Sequence, residues 1–261
     1  MISVTSAQLS AWLALFVFPF VRILALIASS PVLGNTQVPV RVKIGLALLL
    51  TMIVAPGLPA QGIDPASALG MLVLMQQILA GLAIGFTMRL ILNSVEMAGE
   101  IIGLQMGLGF ASFFDPLNAS FAPVVAQFLG IIAALAFLGL DGHLFMLSAL
   151  ADSFLTFPVS ATMPSGTALH TIAAWGGSVF AHALQLSMPI IGALLLTNLA
   201  LAILTRSAPQ LNIFAIGFPI TLAVGFATLL LSLAYMAGLL EQITHASLDE
   251  VRHIMQQLGQ H

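Results

Sequence analysis

Residues 103–116 read GLQMGLGFASFFDP, and the reading of this stretch decides the fold. Gly103, Gly107 and Gly109, followed by the breaker Pro116, argue against a regular helix here. Phe110, Phe113 and Phe114 are too apolar for a loop that lies in water. Irregular backbone cannot face lipid either, because each unpaired N–H or C=O would cost several kcal/mol. It survives at membrane depth only when buried in protein or lining a cavity. The stretch therefore reads as a plug or gate, comprising Met106, Gly107, Gly109, Phe110, Phe113, Phe114, Asp115 and Pro116.

The flanking sequence is membrane-like. Of 261 residues, 60% are hydrophobic and 6% charged, and the mean hydropathy is +1.12. Soluble domains carry about 25% charged residues, so the chain is an integral membrane protein or a subunit buried in a membrane-associated assembly. With spans of about 20 residues each, roughly six or seven helices fit. A net charge of −3 with six Lys and Arg leaves no basic surface for nucleic acid. The absence of cysteine excludes disulfides, thiolate metal sites and a cysteine nucleophile.

Apolar segments fall near residues 9–30, 44–58, 69–92, 123–140, 143–157, 172–204 and 212–240. Turn chemistry separates them, as at Pro31 to Pro39, Pro56 to Pro65, Asp141-Gly142 and Pro158 to Gly166. Several are short or interrupted by Pro19, Pro189 or Pro219, which suits helices packed against protein better than lone lipid-facing spans. No Lys or Arg precedes the first apolar run, and Arg22 lies inside it, so an uncleaved first span is expected rather than a signal peptide. Arg41, Lys43 and Arg206 place the 31–43 and 205–212 loops in the cytoplasm with the N-terminus outside, while Arg252 points the other way. After Leu240 the chain turns polar. Leu248, Val251, Ile254, Met255 and Leu258 recur at helical spacing, which predicts a short amphipathic helix at a membrane edge.

Four side chains form a polar stripe: Arg89, Asn93, Glu96 and Glu100. At about 100° per residue they lie within roughly 60° of one another on a helix, close to Gly85 and Gly103. Intramembrane charges usually face a bundle interior or a water-filled path, so the stripe faces a lumen or a partner. The plainer alternative is a helix end emerging into water, with Arg89 and Glu96 partly compensating. The histidines offer no metal site: His143, His170, His182 and His245 show no paired ligand spacing. Gly176-Gly177-Ser178 resembles a serine-protease fragment, but His182 is one turn away on the same helix, whereas a dyad needs its base on a facing one. No enzyme and no cofactor are expected. The polar residues Arg206, Pro209, Gln210 and Asn212 mark the tip of a helical hairpin.

Three blocks carry a resemblance. RSAPQLNIFAIGFP at 206–219, FVFPFVRILALIASSPVLGNTQVPVRVKIGLAL at 16–48 and VEMAGEIIGLQMGLGFASFFDP at 95–116 resemble the FliR family, the flagellar type III export-gate subunit related to the injectisome T component. The resemblance covers essentially the whole chain. It implies an all-α membrane-associated fold of bent helical hairpins, with a FliP-like part at 1–168 and a FliQ-like hairpin with its amphipathic tail at 169–261. It also implies FliP-like, FliQ-like and FlhB-like partners, unfolded flagellar export substrates, contact with membrane lipid, and a place in the bacterial inner membrane within the flagellar basal body. The family's plug loop maps onto residues 107–121, and its cytoplasmic hairpin tip, where the FlhB subunit approaches, maps onto Arg206 to Asn212. The competing reading is a small-solute carrier or channel. Such a carrier should hold ionisable residues at span midpoints, whereas Asp115, Asp141 and Asp152 fall near segment ends.

Overall fold

The computed structural model describes residues 6–59, 62–110, 123–160, 165–208, 210 and 213–259. Among them the regular structure is helical. The α-helices are α1 Ser6–Ser29, α2 Val40–Val54, α3 Ala68–Gln105, α4 Val124–Gly139, α5 Gly142–Thr156, α6 Gly166–Ser207 and α7 Ile213–Gly259, with short 3-10 turns at Ala55–Gly57 and Leu108–Phe110. Five helices among the described residues are long and apolar enough to cross a membrane, or up to six if the α4–α5 pair, bent by 62°, counts as one span. The bend falls at Asp141, whose φ of 57° places it in the left-handed region.

Local chemistry sets several helix ends. Ser29 and Ser30 turn their hydroxyls back onto the Ala25 and Ile27 carbonyls as α1 ends ahead of Pro31. Lys43 Nζ, in the first turn of α2, donates to the Gly34 and Asn35 carbonyls and ties the α1–α2 turn together. Its charge is therefore partly spent on the turn rather than left wholly for the membrane surface.

Three boundaries correct the sequence reading. Gly103 does not end the third segment: α3 runs through Gly99 and Gly103 to Gln105. Each glycine costs about 1 kcal/mol against alanine in a helix interior. Close approach offsets that cost, since a β-carbon on Gly99 would collide with the Ala126 backbone of α4. Nor is the tail a separate short helix at a membrane edge. It is the end of α7, 47 residues long, and Leu248, Val251, Ile254, Met255 and Leu258 are all buried. The periodicity was legible; the continuity with the preceding span was not. Finally, α6 has 42 residues, about 63 Å at 1.5 Å per residue, roughly twice the hydrocarbon thickness of a bilayer. Helices of this length with Pro189 or Pro219 inside them extend well beyond a single bilayer crossing.

The chain divides into two compact units interleaved along the sequence. One comprises Met1–Ile91, Asp141–Gly176 and Thr244–His261, the other Leu92–Leu140 and Gly177–Ile243. In the first unit α1 and α3 approach closely at Gly81 and Gly85, where a β-carbon would strike the Arg22 carbonyl or the Ser29 side chain. Phe18, Ile23, Leu26, Ile84 and Met88 are buried there. The end of α7 lies along α5 and the start of α6: a β-carbon on Gly259 would meet the Thr156 carbonyl, and Thr171 Oγ1 donates to Gln257 Oε1 at 2.8 Å. In the second unit the last turns of α3 pack on α4, burying Val95, Ala98, Ile102, Val125, Ala126 and Leu129. Large apolar side chains remain exposed on α6 and α7, among them Phe180, Leu196, Leu230 and Leu231.

Candidate plug and partner-facing surfaces

The base of the Phe/Gly stretch is built by the end of α3. Met106 N–H donates to the Ile102 carbonyl at 2.9 Å and Gly107 N–H to the Leu104 carbonyl at 3.0 Å. Gly107 has φ of 82°, a left-handed conformation that glycine takes at little cost and that commonly closes a helix. A 3-10 turn at Leu108–Phe110 follows. Met106 is fully buried. It fits against α7 at Gly225, where a β-carbon would lie 2.6 Å from Met106 Cγ, 2.9 Å from Cε and 3.0 Å from Sδ. Gly109 belongs to the 3-10 turn. Phe113, Phe114, Asp115 and Pro116 lie outside the described residues, as does the side chain of Phe110.

The polar stripe occupies one face of a single helix. Arg89, Glu96 and Glu100 are exposed and Asn93 is half-buried. Leu82, Phe86 and Leu104, on the same face, are also exposed. The stripe lies among apolar residues, and α3 continues past Glu100 to Gln105. Glu96 rests against α4, with its Cγ 3.0 Å from where a β-carbon of Gly130 would stand. Any larger residue at 130 would crowd this carboxylate.

At the hairpin tip Arg206 sits in the last turn of α6, where a cation is favoured by the helix dipole. Arg206 and Gln210 are exposed. Pro209 and Asn212 lie outside the described residues. Ser178 and His182 share α6 one turn apart, the arrangement that denies them a facing-helix dyad. No group of three or more His, Asp or Glu residues able to hold a metal converges among the described residues.

One residue of consequence escaped the sequence reading. Arg22 is fully buried, and its guanidinium joins three helices of the first unit. Nε donates to Gln77 Oε1 of α3 at 2.8 Å. Nη1 donates to the Ser153 carbonyl at 2.8 Å and to Ser153 Oγ at 3.1 Å, and Nη2 donates to the Phe157 carbonyl at 2.8 Å. Its central carbon lies 4.3 Å from the Phe154 ring centroid and 5.5 Å from that of Phe157. These four acceptors are neutral. The positive charge is balanced by carbonyls at the C-terminus of α5, the negative end of a helix dipole. Gln77 turns its oxygen to Arg22 and leaves its buried Nε2 without a hydrogen bond. The signal available in sequence was a charge inside an apolar run. Its acceptors, 131 and 135 residues away, were not visible.

These features define a class: a polytopic all-helical membrane protein with exposed charged side chains on an otherwise apolar helix face. The model of the family described as bacterial export proteins, family 1, matches residues 13–247, and the chain belongs to that family. It is 47% identical over 259 residues to flagellar biosynthetic protein FliR of Pectobacterium carotovorum subsp. carotovorum, covering 99% of each chain. It is 43% identical over 243 residues to the protein of that name from Escherichia coli strain K12, covering 93% of each. Identity to the Bacillus subtilis strain 168 protein of the same name is 29% over 250 residues, 94% of this chain and 95% of that one. The resemblance to the FliR family expected from the three sequence blocks is met along the whole chain.

Proposed function

We propose that the chain is a pore-forming subunit of the flagellar type III protein export gate, needed for export of flagellar subunits and flagellum assembly. The observation that carries this reading is the match across 99% of both chains to a flagellar biosynthetic protein FliR. The exposed Glu100 on an apolar helix supports it, because charges that cannot face lipid need other protein or a water path. In this reading residues 1–168 form a FliP-like part and 169–261 a FliQ-like hairpin. The subunit sits in the inner membrane at the flagellar basal body, with FliP-like, FliQ-like and FlhB-like subunits as partners and unfolded flagellar proteins as cargo.

Each candidate surface then has a task. Phe110, Phe113 and Phe114 close the lumen by excluding water, since an apolar constriction blocks ions by dewetting. Arg89, Asn93, Glu96 and Glu100 meet partner helices. Arg206, Pro209, Gln210 and Asn212 form the tip at which the FlhB-like subunit docks. The solute-carrier alternative loses ground at Arg22: its four hydrogen bonds go to the protein's own groups, so it is poorly disposed to hold a solute. The subunit does no chemistry in this account; it shapes a passage that a separate energised machine uses.

Purification of the tagged chain from cells making the whole export apparatus tests the proposal. A gate subunit emerges with partner chains in fixed stoichiometry and restores motility to cells lacking their own FliR. A chain that emerges alone and leaves those cells non-motile refutes it.

A further inference from the structure

We propose that the cleft between α5 and the end of α7 is a docking site for a basic side chain, Lys or Arg, carried by a segment of another protein. The two helices run side by side in the same direction. The Phe145 and His245 ring centroids stand 5.9 Å apart, and a β-carbon on Gly259 would meet the carbonyl of Thr156, the last residue of α5. Between them lies a cleft of about 240 Å³. Asp152 and Thr156 of α5 and Arg252 and Gln256 of α7 line it, over Val251 and Met255, which are buried.

Charge decides which occupant fits. Arg252 already reaches Asp249 on its own helix, at 3.5 Å. The Asp152 carboxylate has neither an ion pair nor a hydrogen bond among the described residues. It stands near the C-terminal end of α5, where the helix dipole disfavours a negative charge, and the C-terminal end of α7 lies alongside. On the buried side of the same helix end, Arg22 takes the Ser153 and Phe157 carbonyls. The open side presents a carboxylate that no described cation pairs. A metal ion needs several oxygen ligands, and no group of three His, Asp or Glu converges among the described residues. The cleft is also smaller than the roughly 300–1,000 Å³ of small-molecule pockets. Val251 lies about 16 Å along α7 beyond Leu240, where the chain turns polar, so a protein segment fits this surface better than lipid. The methylene stem of a Lys or Arg lies along Val251 and Met255 while its charged head meets Asp152.

The inference rests on the gate reading in one respect: the partner segment comes with the purified complex. Gln256→Cys on the cleft rim of the cysteine-free chain is labelled with a maleimide, in the lone subunit and in the complex. The complex should slow labelling severalfold. Adding Asp152→Lys, which sets a like charge before the incoming side chain, should restore most of the fast rate, and Asp152→Asn should restore part of it. Asp152 is exposed, so neither change removes a side-chain contact that the fold uses. If the Lys variant fails to assemble, the Asn variant carries the test. Equal labelling of subunit and complex overturns the docking site. Slow labelling that persists unchanged in the Asn variant shows a cover indifferent to the carboxylate, and also overturns it. A chain that purifies without partners refutes the gate reading and the docking site together; partners present over an open cleft refute the docking site alone.

Discussion

Arg22 and Glu100 are charges carried by apolar helices of the same chain, and the protein places them differently. Arg22 is enclosed and makes hydrogen bonds to a glutamine, a serine and two main-chain carbonyls at a helix end. Glu100 stands exposed on a face that also shows Leu82, Phe86 and Leu104. A charge satisfied inside the chain is part of the fold. A charge exposed on an apolar helix is, in the proposed function, a requirement placed on whatever surrounds it.

The comparison breaks most visibly at Arg22. Arg22→Met removes the donor set while keeping bulk; the Ser153 carbonyl keeps the Phe157 N–H, but the Phe157 carbonyl and Gln77 Oε1 lose their donor. Unsatisfied buried polar groups cost about 1–3 kcal/mol each, so the loss should be about 2–6 kcal/mol, a large share of the roughly 5–15 kcal/mol by which a domain is stable. Arg22→Lys should fall between the two, because one ammonium cannot reproduce the planar fork that reaches separate acceptors. Thermal unfolding of the purified chains in detergent checks the order: parent, then Lys, then Met. A Met variant as stable as the parent would mean the network contributes nothing net.

At the hairpin tip the effect should be on function more than on folding. Gln210→Cys should crosslink to a cysteine in the cytoplasm-facing loop of the FlhB-like subunit, and the parent chain offers no competing thiol. Efficient labelling of this cysteine by an impermeant reagent from the periplasm would contradict both the docking and the orientation.

The smallest effect is expected at the surface. Arg252 and Asp249 form an exposed pair at 3.5 Å near the end of α7, and exposed pairs contribute roughly 0–1 kcal/mol. Arg252→Ala should therefore leave unfolding almost unchanged, marking the floor against which Arg22 is judged.

The contrast also explains what the sequence could disclose. The stripe at 89, 93, 96 and 100 was legible because helical periodicity is local, as was the apolar face at 248, 251, 254, 255 and 258. The end of α3 was misread at Gly103 because glycine's helix cost is local information, while the Ala126 backbone that rewards a glycine at position 99 comes from another helix. Met106 was read as part of the gate from its neighbours in sequence; that it packs at Gly225, more than a hundred residues on, was not visible there. Arg22 gave only the oddity of a charge in an apolar run. Its acceptors come from α3 and from the end of α5, and no pattern within one segment announces a three-helix junction.

The central claim is that the charges exposed on α3 are covered when the subunit joins its gate. Glu100→Cys in the cysteine-free chain tests it through the rate of maleimide labelling, measured on the purified subunit and on the purified complex. The account predicts rapid labelling of the lone subunit and a slowing by about tenfold or more in the complex, a factor that corresponds to roughly 1.4 kcal/mol of protection. Equal rates in the two preparations would show that this face of α3 stays open after assembly, and the account would be wrong.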